Sequence, residues 1–146
     1  AYASWVVFSQ RFPAGCEANS SGLATTAFPA FARSSVRAFA YYGVFPQMKS
    51  GTLATYEASH QGGVPLAVWD DANALVASSL NRHKAGQFYA DADVVGFGIK
   101  ANATIPANWS QEWIVARGGS VREAMETWGG AVLASAGVAD ELRANM

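Results

Sequence analysis

Short runs of β-branched and aromatic residues, separated by glycine, proline, asparagine and aspartate, dominate the chain. Such runs predict β-strands, and the breakers between them predict turns. The clearest alternation lies at 35–42, where Val36, Ala38 and Ala40 fall on one face. Further strands are predicted at 4–9, 64–69, 74–80, 93–100 and 112–116.

The region from 64 to 80 predicts a β-hairpin, because the turn-forming run Asp70-Asp71-Ala72-Asn73 separates two apolar stretches. Gly96 and Gly98 lie two residues apart in a predicted strand, so they share a face that a neighbouring group can approach closely. Segment 52–59 is ambiguous between a strand and a helical turn. Loops or connections are predicted at 10–33, 43–51, 81–91 and 101–111.

One helix is predicted, at 120–136. Ser120 followed three residues later by Glu123 has the pattern of a capping box, and Gly137 suits the left-handed position after a helix. Apolar residues at helical spacing predict one buried stripe. Its members are Val121, Ala124, Met125, Trp128, Val132 and Leu133.

Strands first and a single helix last predict a mainly β fold, an antiparallel β-sandwich with one C-terminal helix. Residues 1–146 are expected to form a single domain, with a loop-rich N-terminal region at 1–34 and the terminal helix at 120–136. The abrupt start at Ala1 and the polar run 140–146 favour a fragment of a larger protein.

The chain is poor in charge, and this bounds its partners. Charged residues make up 14%, against about 25% in ordinary soluble domains, and the net charge is −1. The absence of a basic excess argues against a nucleic-acid partner. No run of 18 apolar residues occurs, so no membrane span is predicted. A chain with so few charged residues exposes much neutral surface, which favours a contact between that surface and another domain.

Compartment is indicated by three N-x-[ST] sequons, at Asn19, Asn102 and Asn108. They predict glycosylation and a secretory route, to the exterior or a vacuole, although plain turn chemistry also explains them. Cys16 is the only cysteine. It is interpreted as a small buried apolar residue or as a bridge to a region of the protein outside this chain.

No complete catalytic motif is present, so no catalytic residue, metal or cofactor is predicted. G-x-S-x-G, P-loop, H-E-x-x-H and dinucleotide patterns are missing, and His60 and His83 have no metal-ligand spacing. Asp70 and Asp71 are adjacent, so in an extended chain they point to opposite faces. Turn formation explains this pair better than acid–base catalysis, which needs two carboxyls across one bond.

Five tryptophans are the other candidate feature. Trp5, Trp113 and Trp128 fall in strands or on the helix stripe and are predicted to be core. Trp69 at the hairpin end and Trp109 beside a sequon are predicted to be exposed, where an aromatic ring next to polar groups suits sugar stacking. Exposure without a ligand is the alternative.

The hairpin and helix together resemble a known arrangement. Gly63-x-Pro65-Leu66-x-x-Trp69-Asp70 is followed by a strand ending in Ser78-x-Leu80-Asn81, and later by Trp128-Gly129 in the helix. This order, over about 62–137, is similar to the β-sandwich that precedes the barrel in eukaryotic proteins of the α-galactosidase and raffinose-synthase type.

That resemblance implies a retaining carbohydrate-active enzyme whose two catalytic aspartates belong to a barrel outside this chain. The expected function is the non-catalytic β-sandwich portion of a secreted glycoside-hydrolase-like enzyme, packing on that barrel. A stand-alone carbohydrate-binding module and a structural extracellular domain are the alternatives. The candidate carbohydrate-binding residues are Trp69, Asp70, Asp71, Asn73 and Asn81.

Overall fold

A computed structural model describes residues 4–17, 24–42, 47–56, 60–61, 65–91 and 93–138. Ten strands and one helix occur in these ranges. The strands are β1 (Trp5–Phe12), β2 (Ala30–Ala32), β3 (Arg37–Tyr42), β4 (Gln47–Thr52), β5 (His60–Gln61), β6 (Leu66–Trp69), β7 (Ala74–Ser79), β8 (Gly86–Ala90), β9 (Val94–Ile99) and β10 (Trp109–Gly118). The helix is α1 (Val121–Ser135), and a 3₁₀ turn at Leu53–Thr55 follows β4.

The strands form two antiparallel sheets. The larger has the order β1-β10-β7-β6-β3-β4, and the smaller has the order β2-β9-β8-β5. Phe88 and Phe97 of the smaller sheet meet Trp113 of the larger one, with the Phe97 and Trp113 rings stacked at 4.8 Å. All three rings are buried. The predicted fold class, a β-sandwich with one C-terminal helix, is confirmed.

Helix α1 packs on the outer face of the larger sheet. Ala124 lies against Ala67, Ala74 and Val76, and Trp128 adds a half-buried ring to this second cluster. The side-chain N–H of Trp128 donates a hydrogen bond to the Ser78 hydroxyl at 3.0 Å. The predicted helix stripe therefore faces the sheet, because the sheet offers small apolar side chains there.

Both ends of α1 follow the predicted signals. The Ser120 hydroxyl accepts a hydrogen bond from the Glu123 amide, and the Glu123 carboxylate accepts one from the Gly119 amide. After the helix, Gly137 has φ +70°, and its amide bonds to the Ala134 carbonyl. This is the Schellman arrangement, which satisfies the last helical carbonyls.

The face shared by Gly96 and Gly98 is closely covered, as predicted. The chain from 24 to 30 runs along β9, and a Cβ atom added at Gly98 would collide with the Thr26 carbonyl oxygen. At Gly96 an added Cβ would lie 2.7 Å from the Pro29 carbonyl oxygen. Only glycine allows the two backbones to approach so closely.

Several predicted loops contain strands. β2 lies inside the predicted loop 10–33 and inside the predicted loop-rich region 1–34, β8 lies inside the predicted loop 81–91, and β4 overlaps the connection predicted at 43–51. Each of these strands is held by backbone hydrogen bonds to a partner: β2 to β9, β4 to β3 and β8 to β9. Local sequence preference alone does not reveal such pairing. Trp5, predicted to be core, is 46% exposed because β1 is an edge strand, so that prediction is wrong.

Candidate functional site

Asp70 organises the turn between β6 and β7. One of its carboxylate oxygens, Oδ1, accepts hydrogen bonds from the amides of Ala72 and Asn73 at 2.8 and 2.7 Å. The hydrogen bond from the Ala72 amide, followed by that from the Asn73 amide, holds the pKa of the exposed Asp70 carboxyl below its usual range. Asp70 is therefore an ionised acceptor and is poorly suited to be a general acid.

Trp69 and Asp71 both meet Arg37, which lies on the neighbouring strand β3. The Arg37 guanidinium stands 5.9 Å from the centre of the Trp69 ring and donates to the Asp71 carboxylate at 2.7 Å. Trp69 is half-buried and packs against the α1 cluster. Its indole is thus less exposed than the sequence predicted, because α1 covers some of this face.

Asn73 completes this region. Its side-chain oxygen accepts a hydrogen bond from the guanidinium of Arg117 at 2.6 Å. We define the hairpin tip as Arg37, Trp69, Asp70, Asp71, Asn73 and Arg117. Four of the five candidate carbohydrate-binding residues meet here, with two carboxylates balanced by two guanidinium groups.

Asn81, the fifth candidate, lies at the opposite end of β7. Eight residues of extended chain separate it from Asn73, roughly 25 Å at the usual strand rise. Its side-chain oxygen accepts hydrogen bonds from the Glu112 amide at 2.9 Å and from the Gln111 side chain at 3.3 Å. Asn81 therefore ties the end of β7 to β10 and does not join the hairpin tip.

Around Asn81 the structure brings together residues that sequence reasoning did not combine. The Arg82 guanidinium lies 3.9 Å from the centre of the Trp109 ring, and its Nε donates to the Ser110 carbonyl at 2.9 Å. His83 and Lys84 follow in the same exposed turn. We define the Trp109 end as Arg11, Arg82, His83, Lys84 and Trp109.

Two shallow concavities flank Trp109. One, of about 320 Å³, is lined by Arg11, Phe12, Pro13, Asn108, Trp109, Ser110 and Glu112. The other, of about 460 Å³, is lined by Arg82, His83, Lys84, Ala85 and Trp109. The run Arg82-His83-Lys84 was the sequence signal for this surface, but nothing local linked it to Trp109, 25 residues further on.

An apolar opening lies between the two sheets. Phe31 and Leu75 are 41% and 37% exposed and line a cavity of about 60 Å³ together with buried core residues. Val6, also exposed, is opposite Val115 of the same cavity, and Phe28 packs edge-on against Phe8 at 5.9 Å. We call Val6, Phe28, Phe31 and Leu75 the apolar rim.

The sequon asparagines Asn102 and Asn108 lie in exposed turns with φ +57° and +59°. The third, Asn19, lies outside the described residues. Cys16 is exposed, so the interpretation of it as a buried apolar residue is wrong. Its backbone pairs with that of Ile105 in an isolated antiparallel β-bridge. Its interpretation as a bridge to another region of the protein stays a prediction.

Of the two histidines, His83 has a described side chain, and it joins no group of metal-ligating residues. His83 lies with its Nδ1 3.0 Å from the Ser79 hydroxyl, and the side chain of His60 is not among those described. Over the ranges that the structure describes, no group of three or more His, Cys, Asp or Glu side chains converges as metal ligands would.

Comparison with known proteins assigns no relative, since no protein-family model, curated protein or solved structure matches this chain. Among the described residues, no helix combines the length and the apolar character needed to cross a bilayer. The side chains of the hairpin tip, the apolar rim and the Trp109 end are therefore the basis on which a function is proposed.

Proposed function

We propose that this chain is the non-catalytic β-sandwich portion of a secreted carbohydrate-active enzyme and that it packs against a catalytic barrel. The observation that carries this proposal is the apolar rim. Its four side chains are exposed, and two of them, Phe31 and Leu75, line an opening into the core, in a chain with only 14% charged residues. Exposed apolar clusters of this kind are typical of contact surfaces.

The state of the hairpin tip supports a non-catalytic role. Retaining glycoside hydrolysis needs a general acid and a nucleophile across one bond. Asp70 is held ionised by backbone amides, and Asp71 is paired with Arg37. The lowered pKa of Asp70 is the opposite of what a general acid requires, and the Asp71 carboxylate is engaged by Arg37, so we expect no turnover of aryl α- or β-glycosides by this chain.

A stand-alone carbohydrate-binding module is the second candidate, favoured by the hairpin tip itself. A half-buried indole with Asp70, Asp71 and Asn73 beside it offers an apolar surface next to fixed acceptors. Such a combination suits a sugar ring, which has an apolar face and a hydroxyl edge. Neutral-sugar binding that is lost on changing the hairpin tip would favour this candidate.

The secretory route is supported by the exposure of Asn102 and Asn108, since an acceptor asparagine must reach the glycosylation machinery. We expect intact-mass analysis of natively secreted protein to show glycan at one or both. A secreted protein with both side chains bare would contradict the secretory assignment.

The experiment that tests the docking role begins with the gene. The coding sequence on both sides of this chain is determined, and any barrel domain encoded there is coexpressed with it. Copurification is expected, and Val6→Lys with Leu75→Lys is expected to abolish it. Met48→Lys is the matched control, because Met48 is exposed on β4 at the other edge of the larger sheet. A gene without a barrel would overturn the proposal.

A further inference from the structure

The Trp109 end is built to hold an anion. We propose that it binds the carboxylate or sulfate group of an acidic saccharide, with Arg82 as the principal contact. The anionic group is inferred from the contacts of this surface alone, whereas the choice of a saccharide rests on the proposed function. The surface is distinct from the hairpin tip, since the length of β7 separates the two.

Arg82 is preorganised as an anion receptor. Stacking on Trp109 and the bond from Nε to the Ser110 carbonyl fix the plane of the guanidinium. Within the described stretches of the chain, its terminal nitrogens Nη1 and Nη2 make no hydrogen bond to protein. A planar fork that is already immobilised loses less conformational entropy on binding a carboxylate or sulfate.

Further cations stand on both sides of this guanidinium. Arg11 lines one concavity and Lys84 lines the other, and neither forms an ion pair with any residue that the structure describes. Glu112 is the one carboxylate in the lining of either concavity. Three cationic side chains against one carboxylate give a local positive excess, although the whole chain has a net charge of −1.

The shape of the surface favours a saccharide over a nucleic acid. Trp109 separates two concavities of about 320 and 460 Å³, so its ring lies between two hollows that each have a cationic side chain in their lining. Successive sugar units present apolar faces and hydroxyl edges. A nucleic-acid backbone requires a longer track of cations, which a surplus of two charges does not provide.

The test is calorimetric titration of the purified chain, produced without N-glycans because Asn108 lines one concavity, with three oligosaccharides of equal length. They are an oligouronate, its fully methyl-esterified counterpart and a sulfated analogue. We expect the oligouronate or the sulfated analogue, or both, to bind at least about tenfold more tightly than the neutral ester, as loss of one charge-assisted contact implies. The comparison of the two acidic ligands identifies the anionic group. Binding should weaken with added salt.

Variants locate the contact. Arg82→Gln is expected to weaken binding of the acidic ligand by about tenfold or more, and Lys84→Gln by less, because Lys84 is a flexible point charge. Arg122→Gln is the matched control, since Arg122 is exposed on α1, is paired with Glu126 and belongs to neither surface. It should leave binding unchanged. Near-ultraviolet circular dichroism checks that every variant is folded.

Three results would overturn the inference: no binding of either acidic ligand, equal binding of the neutral ester, or equally tight binding of single-stranded DNA. The last would identify a general polyanion surface. Failure here is distinguishable from failure of the proposed function. If the barrel still copurifies, the proposed function stands and only this site is lost.

Discussion

Two tryptophan–arginine pairs stand at opposite ends of β7, and they differ in how their charge is used. At the hairpin tip Arg37 lies 5.9 Å from the Trp69 ring centre and is paired with Asp71. At the Trp109 end Arg82 lies closer, 3.9 Å from the ring centre, and its hydrogen bond goes to the neutral Ser110 carbonyl. The first pair is neutralised within the protein, and the second keeps its charge for an external group.

The indole rings of Trp69 and Trp109 also differ in their surroundings. Trp69 packs into the cluster beneath α1, so its ring belongs to the fold. Trp109 separates two open concavities, and its buried N–H has no hydrogen-bond partner among the described residues. A buried polar group without a partner lowers stability unless a water or an ion satisfies it. The contrast fits a structural role for Trp69 and the proposed binding role for Trp109.

The largest expected effect compares the two rings directly. Trp69→Ala should lower the free energy of unfolding by about 2–3 kcal/mol, because it leaves a cavity beneath α1. Trp109→Ala should lower it by only about 1 kcal/mol, because the lost packing is partly offset by removal of an unpartnered buried N–H. Urea denaturation of both variants beside the parent measures the difference. An equal loss, or a larger one for Trp109→Ala, would remove the contrast.

Local signals in the sequence were enough for much of the fold. The caps of α1 at Ser120 and Gly137 and the turn at Asp70 depend on residues within four positions of each other, so their patterns predict the structure directly. β8 and β2 were missed because their partner strands, not their own residues, define them. Strand preference depends on neighbours that a linear pattern does not reveal.

The same limit holds for the candidate site: contacts within one turn were predictable from the sequence, and contacts between distant strands were not. Four of the predicted residues meet at the hairpin tip because they belong to one turn, and Asn81 does not because a full strand intervenes. The Trp109 end was out of reach for a different reason. Arg82 and Ser110 are 28 residues apart and meet only because β7 pairs with β10. Sequence reasoning had no means to fix that register.

A second experiment compares satisfied and unsatisfied indole N–H groups. Trp128→Phe should lower the free energy of unfolding by about 1–2 kcal/mol, because the buried Ser78 hydroxyl loses its donor. Trp109→Phe should change it by less than about 0.5 kcal/mol, since no bond is lost there. Adding Ser78→Ala to Trp128→Phe should cost only the remaining bond of that hydroxyl, which it donates to the Ser79 carbonyl. Similar losses for the two single variants would show that the Trp109 N–H is bonded after all.

A third and smaller effect concerns charge. Lys84→Glu places a carboxylate among the cations of the Trp109 end and should slightly raise the midpoint of thermal unfolding, because it relieves repulsion. Asp71→Lys places a cation beside Arg37 and should slightly lower it. Both shifts should shrink as salt is added. Shifts of the same sign for the two variants would contradict the difference in charge between the two ends.

The smallest effect is the pH dependence contributed by Asp70. Backbone amides lower the pKa of its carboxyl in the folded state, those of Ala72 and Asn73 foremost. The stability that this carboxylate contributes is therefore complete above its unfolded pKa of about 4 and is lost as the pH falls through the lower folded value.

Asp70→Asn isolates this contribution, because an asparagine oxygen still accepts the two turn hydrogen bonds but does not titrate. We expect the variant to be slightly less stable than the parent at pH 7, because a neutral acceptor bonds more weakly. Between about pH 4 and pH 2 it should lose less of its unfolding free energy than the parent. Urea midpoints measured across that range give both profiles, with pH 7 as the internal reference. Parallel profiles would show that the turn bonds at Asp70 are as strong with a neutral carboxyl, and the charge of Asp70 would then have no role in the difference between the two ends.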